Sequence, residues 1–241
     1  MSREHHRYGR MRSQYGELFR PGTSEPSPVA VVLHGGFWKA QYGRKLMRGL
    51  CADLARRGWA AWNLEYRRLG RLSGGGWPAT FDDVAAGVDH LARLEGLDLS
   101  RVVAIGHSAG GHLAAWAATR EAPGVAVTGV VAQAGVVDLE LAWELRLSRG
   151  VVRRLLGGTP EQRPERYALA SPAARLPLGV PILLTHGGRD DIVPVRMSRE
   201  FERRARAAGD RCELALIEQE DHFGHLEPAN PLWKAVVEWI R

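Results

Sequence analysis

The sequence of 241 residues has little cysteine and no long apolar run. Its two cysteines, Cys51 and Cys212, are far apart in apolar segments, without the spacing of a zinc site or the density of a disulfide scaffold. No apolar run approaches the roughly 18 residues that are needed to span a bilayer. We therefore expect a protein of the reducing cytoplasm, with no membrane partner.

The sequence also lacks the features of an exported protein. Its first 12 residues are rich in arginine, but no apolar stretch follows that could act as the core of a signal peptide. An organellar presequence is the alternative, but Glu4 and the absence of an amphipathic pattern argue against it. We expect residues 1–12 to form a flexible tail of a single domain that covers residues 1–241.

The positive charge is not concentrated in one place. A net charge of +6 could indicate a nucleic-acid partner. Arginine doublets such as Arg56-Arg57 and Arg203-Arg204 instead stand beside acidic residues in helical patterns, as on a solvated helix face. We expect no nucleic-acid partner.

Short apolar runs alternate with longer stretches of helical periodicity, which predicts an α/β fold with a mainly parallel sheet. Between residues 138 and 178 short amphipathic pieces separated by glycine and proline replace this alternation, and we interpret them as a small helical insertion over the sheet. Strands are predicted at 29–33, 60–64, 102–105, 129–134, 182–186 and 212–217, and helices at 44–57, 81–92, 113–118, 195–208 and from 231.

One segment has the pattern of a nucleophile. Residues 106–110 (GHSAG) match GxSxG between a β-branched strand and a small-residue helix. A serine at such a turn has a strained backbone that exposes its hydroxyl, and the residues two before and two after it must be small. We interpret Ser108 as a nucleophile; a glycine-rich turn with an incidental serine is the alternative.

A second segment supplies donors for an oxyanion. Residues 34–38 (HGGFW) directly follow the first long predicted strand, and their glycines let backbone N–H groups turn inward. We predict that Gly36, Phe37 and Ala109 donate to the negatively charged oxygen of a tetrahedral intermediate. His34 is predicted to hold this loop by side-chain hydrogen bonds. A plain glycine turn is the alternative.

Two later loops offer an acid and a base. Residues 186–194 (HGGRDDIVP) follow a predicted strand, so that Asp190 or Asp191 stands at the edge of the sheet where α/β sites form. His222 follows the last predicted strand, and the order serine, acid, histidine is the one expected for this fold. An imidazole activates the serine, and the acid fixes the tautomer of the imidazole.

Other histidines are weaker candidates for the base. His225 lies one turn further from the end of the strand, and His112 is predicted to be a packed, hydrogen-bonded helix residue. A metal site at His222 and His225 is the remaining alternative, but the spaced ligand set of a zinc site is missing. We expect no metal and no cofactor.

The segments HGGFW, GHSAGG, HGGRDDIVP and DHFGH together resemble the α/β hydrolase superfamily, and the HGGxW form is most similar to the branch of small esterases and kynurenine formamidase-like enzymes. The resemblance extends from about Tyr15 to the C-terminus. It implies a mainly parallel sheet flanked by helices, and it favours Asp190 over Asp191 as the acid of a triad with Ser108 and His222.

We expect tryptophans to line the substrate pocket. Trp38 adjoins the predicted oxyanion loop, Trp77 lies in a glycine-rich loop, and Trp143 lies in the helical insertion. Together they could form an apolar cleft for an aromatic or acyl group. Simple coverage of the core is the alternative for each of them.

These features predict a serine hydrolase that cleaves a small carboxylic ester or an aryl amide through an acyl-enzyme on Ser108, with a formamide as a favoured substrate. A peptidase similar to the catalytic domain of prolyl oligopeptidase is one alternative, although the chain has no room for the gating domain of that family. A non-catalytic protein that binds a small ligand on a hydrolase scaffold is the other.

Overall fold

The computed structural model describes residues 1–23 and 25–241, and its centre is one eight-stranded sheet. The strand order is β1-β2-β4-β3-β5-β6-β7-β8; strands β3 to β8 are parallel, and β1 and β2 pair antiparallel. The strands are β1 (Ser2–Arg7), β2 (Tyr15–Arg20), β3 (Ser27–Leu33), β4 (Ala60–Leu64), β5 (Leu97–His107), β6 (Gly129–Gln133), β7 (Ile182–Gly187) and β8 (Cys212–Ile217).

Helices flank the sheet as predicted, and the three helices between β6 and β7 form the insertion. Across residues 1–23 and 25–241, no helix combines the length and apolarity that a bilayer crossing needs. The helices are α1 (Arg48–Arg56), α2 (Ala79–Asp89), α3 (Ala109–Ala118), α4 (Leu139–Glu144), α5 (Leu147–Leu156), α6 (Pro164–Ala170), α7 (Arg196–Ala207) and α8 (Pro231–Trp239).

The central strands are apolar on both sides because helices cover both faces of the sheet. In β3, Val29, Val31 and Leu33 pack with residues of α2 and α3, whereas Ala30 and Val32 pack with residues of α1 and α8. Successive side chains of a strand point to opposite faces, so each strand contributes to two apolar layers. The buried strands are therefore continuous apolar runs in the sequence.

The prediction of a flexible tail at residues 1–12 is wrong for Ser2–Arg7. These residues form the edge strand β1, which pairs with β2 over its whole length. Arg20 Nε donates to Glu4 Oε1 across the pair at 2.7 Å. An edge strand is held by backbone hydrogen bonds and can carry polar side chains on both faces, so its sequence lacks the apolar alternation that reveals a strand.

The insertion contains a left-handed turn at the start of α5. The φ angles of Arg146, Ser148 and Arg149 are 51°, 45° and 60°, and Gly150 follows at 73°. Each non-glycine residue in this conformation costs roughly 1–2 kcal/mol, so surrounding contacts must hold it. One such contact comes from outside the insertion, because Lys39 Nζ donates to Ser148 Oγ at 2.7 Å.

Helix α3 lies so close to β3 and β5 that two positions admit no side chain. A Cβ atom at Gly106 would overlap the carbonyl of Gly110, and one at Gly110 would overlap the carbonyl of Leu33. Gly49 in α1 is different, because the nearest atom to its added Cβ is a side-chain carbon of Pro228 at 3.7 Å. The two glycines beside Ser108 therefore set the distance between helix and sheet.

We predict that Gly110→Ala lowers the free energy of unfolding by about 1–3 kcal/mol or prevents folding, since the overlap is with backbone that has no room to move. The matched change Gly49→Ala should raise it by about 0.5 kcal/mol, because alanine favours the helix. Urea denaturation of both variants measures the difference. Wild-type stability of Gly110→Ala would contradict the close packing.

Candidate active site

Ser108 occupies a sharp turn between β5 and α3. Its φ and ψ are 56° and −118°, outside the region that a serine normally adopts. The neighbouring strand holds the turn, because Ser108 N donates to Gln133 O at the end of β6 at 2.8 Å. Only 1% of the residue is exposed, yet it lines an open cleft. The structure thus gives Ser108 the strained, presented conformation that the sequence predicts.

Asp190, and not Asp191, lies against His222. His222 Nδ1 is 2.7 Å from Asp190 Oδ2, while Asp190 Oδ1 accepts the backbone N–H groups of Ile192 and Val193 at 2.9 and 2.8 Å. Asp191 is exposed. Since Nδ1 of His222 is taken by the carboxylate, its Nε2 is the ring nitrogen left for a proton from the cleft.

The carboxylate of Asp190 stays ionised. Burial alone would raise its pKa, but hydrogen bonds from His186 and His222 and the backbone N–H of Val193 lower the pKa well below its ordinary value. His186 Nε2 lies 3.2 Å from Asp190 Oδ2, and its Nδ1 lies 2.7 Å from Ser198 Oγ. Asp190 is therefore a fixed negative charge beside His222.

The loop after β3 places backbone N–H groups beside Ser108. Gly36, Phe37 and Trp38 have φ angles of 104°, 51° and 55°, and a tight turn is closed by Lys39 N, which donates to Gly36 O at 3.0 Å. In the described chain the N–H groups of Gly36, Phe37 and Ala109 have no hydrogen-bond acceptor. Gly36, Phe37 and Ser108 line the same cleft.

His34 holds this loop from behind, as predicted. Its Nδ1 is 2.8 Å from Gly35 O, its Nε2 is 2.9 Å from Glu65 Oε1, and its ring stacks on Tyr66 with 4.4 Å between centroids. Burial would raise the pKa of Glu65, but its contacts with His34 and Arg68 lower the pKa overall. The buried, hydrogen-bonded pair of His34 and Glu65 thus supports the loop beneath the cleft.

The cleft itself is small and mostly apolar, with a volume of about 200 Å³. Tyr42 packs against Gly36, where an added Cβ atom would overlap the Tyr42 side chain. Phe223, which is 59% exposed, also lines the cleft. The residues that line the cleft are Gly36, Phe37, Tyr42, Leu46, His107, Ser108, Ile192, His222, Phe223 and Leu226.

The three tryptophans that were expected to line this cleft lie elsewhere. Trp38 is fully buried, because the turn with positive φ angles sends Phe37 into the cleft and Trp38 into the core. Trp77 packs edge-on against Phe81 with 5.0 Å between ring centroids. Trp143 lines a separate cavity on the insertion. The apolar wall predicted for these residues is instead built by aliphatic and aromatic side chains of neighbouring loops.

The competing histidines are both packed in the interior. His225 Nδ1 lies 3.2 Å from Thr185 Oγ1, and His112 Nε2 donates to Ala170 O at 2.9 Å. Burial lowers the pKa of His112 to about 4 and that of His225 well below its ordinary value. Neither lines the cleft with Ser108. The prediction that His112 is a packed, hydrogen-bonded helix residue is confirmed.

His107 was given no role by the sequence analysis, yet it joins two parts of the site. Its Nε2 donates to the carbonyl of His222 at 2.9 Å, and the two ring centroids are 4.6 Å apart. Burial lowers the pKa of His107 to about 3, so the ring stays neutral and keeps this proton. The signal in the sequence was a polar residue at the end of a buried strand, directly before Ser108.

A model of the BD-FAE family matches residues 17–204, which include the loop after β3, Ser108 and Asp190. Among curated proteins, esterase LipC of Mycobacterium tuberculosis is 30% identical over 220 residues, which are 81% of this chain and 52% of that protein. Isoprenylcysteine alpha-carbonyl methylesterase ICME of Arabidopsis thaliana is 27% identical over 235 residues, 86% of this chain and 53% of that protein. This chain thus spans about half the length of these relatives.

Solved structures of esterases share the fold. A truncated carbohydrate esterase from gut microbiota superposes with a TM-score of 0.82 at 21% identity, over 97% of this chain and 93% of that chain. At this identity the likeness concerns the fold, and it confirms the α/β hydrolase architecture predicted from the sequence.

The buried His112 makes stability depend on pH. It stays neutral in the folded protein down to a pH of about 4, whereas the unfolded chain binds a proton below its ordinary pKa of about 6.5. The unfolded state is therefore favoured as the pH falls through this window. His112→Gln keeps a donor for Ala170 O. It should reduce the slope of the free energy of unfolding against pH by about 1.4 kcal/mol per pH unit in this window.

Chemical denaturation of both proteins at several pH values between 7 and 4.5 measures this slope. Equal slopes for wild type and His112→Gln would mean that the histidine is protonated in the folded protein, contrary to its burial.

Proposed function

The chain belongs to the BD-FAE family, and we propose that it is a serine hydrolase that cleaves small carboxylic esters through an acyl-enzyme on Ser108. The observation that carries the proposal is the contact of 2.7 Å between His222 Nδ1 and Asp190 Oδ2, with His222 and Ser108 in one cleft. The esterase relatives support the same reaction class. A protein that only binds a ligand has no need of these three groups together.

In the first half of the reaction His222 Nε2 takes the proton of the Ser108 hydroxyl, and Oγ attacks the carbonyl carbon of the ester. The carbonyl oxygen becomes negatively charged and accepts hydrogen bonds from the N–H groups of Gly36, Phe37 and Ala109. Collapse of this intermediate breaks the bond to the alcohol, which leaves with the proton from His222. An acyl group remains on Ser108.

In the second half a water molecule replaces the alcohol. His222 takes a proton from the water, which attacks the acyl carbon, and the same N–H groups stabilise the second oxyanion. Ser108 leaves with the proton from His222, and the carboxylic acid is released. Throughout, Asp190 holds His222 in the tautomer that has Nε2 free and stabilises its positive charge.

The cleft favours a small acyl or aryl group. Its volume of about 200 Å³ is below the range of about 300–1,000 Å³ that is usual for ligand pockets. Tyr42, Leu46 and Leu226 offer apolar contacts to a short chain. An aryl formamide, the favoured substrate of kynurenine formamidase-like enzymes, has a small acyl group of the same kind, and it is the second substrate class that we propose.

Purified wild type and Ser108→Ala should be compared on 4-nitrophenyl acetate, 4-nitrophenyl octanoate, N-formylkynurenine and a peptide anilide that contains proline. We predict that the wild type turns over the acetate faster than the octanoate, because the cleft is small. Ser108→Ala should show no turnover above background. The measurement is kcat/KM for each substrate.

Each pattern on this panel has one meaning. Activity concentrated on the formamide would select the formamidase, and faster cleavage of the peptide would replace the esterase by a peptidase. Absence of serine-dependent turnover on all four would contradict a hydrolase and favour the binding protein.

The two adjacent aspartates provide a test of the acid. Asp190→Asn should lower kcat by about ten-thousandfold, because the amide donates to Nδ1 and leaves His222 in the wrong tautomer. Asp191→Asn has the same change in charge one residue away and should keep nearly wild-type turnover, since Asp191 is exposed. Thermal unfolding of both variants serves as the control for folding. The reverse result would make Asp191 the acid.

A further inference from the structure

The helical insertion carries a cavity that the proposed reaction does not use. It has a volume of about 560 Å³. Three guanidinium groups, those of Arg146, Arg149 and Arg153, line it together with the indole of Trp143 and the carboxylate of Glu144. The cavity wall therefore has a positive charge and one aromatic surface.

The three arginines have no acidic partner. In the part of the chain that the structure describes, no carboxylate lies within 4 Å of Arg146, Arg149 or Arg153. By contrast, Arg204 of α7 lies 2.7 Å from Asp138. Guanidinium groups that share a cavity repel one another unless an anion lies between them, and their planar fork suits a carboxylate.

The backbone at this place is strained. Arg146, Ser148 and Arg149 have left-handed conformations, and two of them, Arg146 and Arg149, carry two of the cavity's three guanidinium groups. Strained residues of this kind concentrate at sites that hold ligands. The side chain of Ser148 accepts a hydrogen bond from Lys39.

The cavity is also close to the cleft. Lys39 Nζ is 2.7 Å from Ser148 Oγ and 5.8 Å from the centre of the Phe37 ring, and Phe37 lines the cleft. The arginine-bearing turn thus lies within one lysine side chain of the residue that is proposed to bind the oxyanion.

We propose that this cavity is a binding site for an anionic group of the substrate. This proposal rests on the proposed function. The apolar cleft takes the neutral half of the ester, and the other half carries a carboxylate that Arg146, Arg149 and Arg153 bind. Trp143 offers a face on which the planar body of that half stacks. The substrate class is then an ester with one small apolar half and one half that carries a free carboxylate.

Two matched pairs of substrates test the site. In the first pair the charge is on the alcohol half: 4-acetoxybenzoate and its neutral analogue 4-acetoxybenzamide. In the second it is on the acyl half: the 4-nitrophenyl esters of terephthalic acid and of its monoamide. For each pair the quantity is the ratio of kcat/KM between the charged and the neutral member, so that folding and chemistry common to both cancel.

The variant is Arg149→Gln/Arg153→Gln, and the control is Arg199→Gln/Arg211→Gln, which removes the same charge from exposed positions outside the cavity. We expect the ratio of one pair to fall about tenfold in the cavity variant, through KM and not kcat, since each exposed contact contributes a few-fold. The control should keep the wild-type ratio. An unchanged ratio in both pairs, or an equal fall in the control, overturns the proposal.

Binding to the inactive protein separates this site from the proposed reaction. Calorimetric titration of Ser108→Ala with 4-acetoxybenzoate should show weaker binding when Arg149→Gln/Arg153→Gln is added, with no change for 4-acetoxybenzamide. If the wild type hydrolysed neither ester but this difference in binding appeared, the proposed function would fail and the anion site would stand. Equal binding of the charged ligand with and without the two arginines refutes the site.

Discussion

The strained turn at Ser108 is the constraint on which the site depends. Its positive φ is held only because α3 lies directly on β3 and β5, at a distance that requires glycine at positions 106 and 110. Ala109, whose N–H group is the first of α3, directly follows Ser108 in this turn. The apolar layers on both faces of the sheet stabilise this arrangement, so the energy that strains the turn comes from the burial of the core.

Around this turn, groups from separate strands meet because parallel strands end at one edge of the sheet. Each is then fixed by a buried polar contact: His34 with Glu65 beneath the loop after β3, and Asp190 with His186 beneath His222. Such contacts add little to stability, since the cost of removing a charged group from water can exceed what is gained by pairing it. Their effect is to hold the side chains and the loop of the site in position. Because these groups already have their final geometry, the proposed reaction needs no free energy for their rearrangement.

The sequence was sufficient wherever the local pattern and the packing agree. The six central strands, the insertion and the pairing of His222 with Asp190 follow from apolar runs, motif context and resemblance. It was insufficient where long-range contacts decide. Strand β1 is polar and is held by pairing with β2. Leu46 belongs to the segment predicted as a helix at 44–57, but it precedes α1 and lines the cleft. In the left-handed turn near Arg149, Gly150 is the one residue whose type favours that conformation. Trp38 points into the core because of a positive φ angle that its residue type does not predict.

We propose that Ser108 is the one nucleophile and that its position in the fold activates it. Labelling of the native protein with a fluorophosphonate, followed by tandem mass spectrometry of the digest, tests it most directly, because the covalent product marks the reacting atom. The account predicts one adduct, on the peptide that contains Ser108, and its loss in unfolded protein. An adduct on another residue of the native protein, or ester turnover without labelling of Ser108, would contradict it.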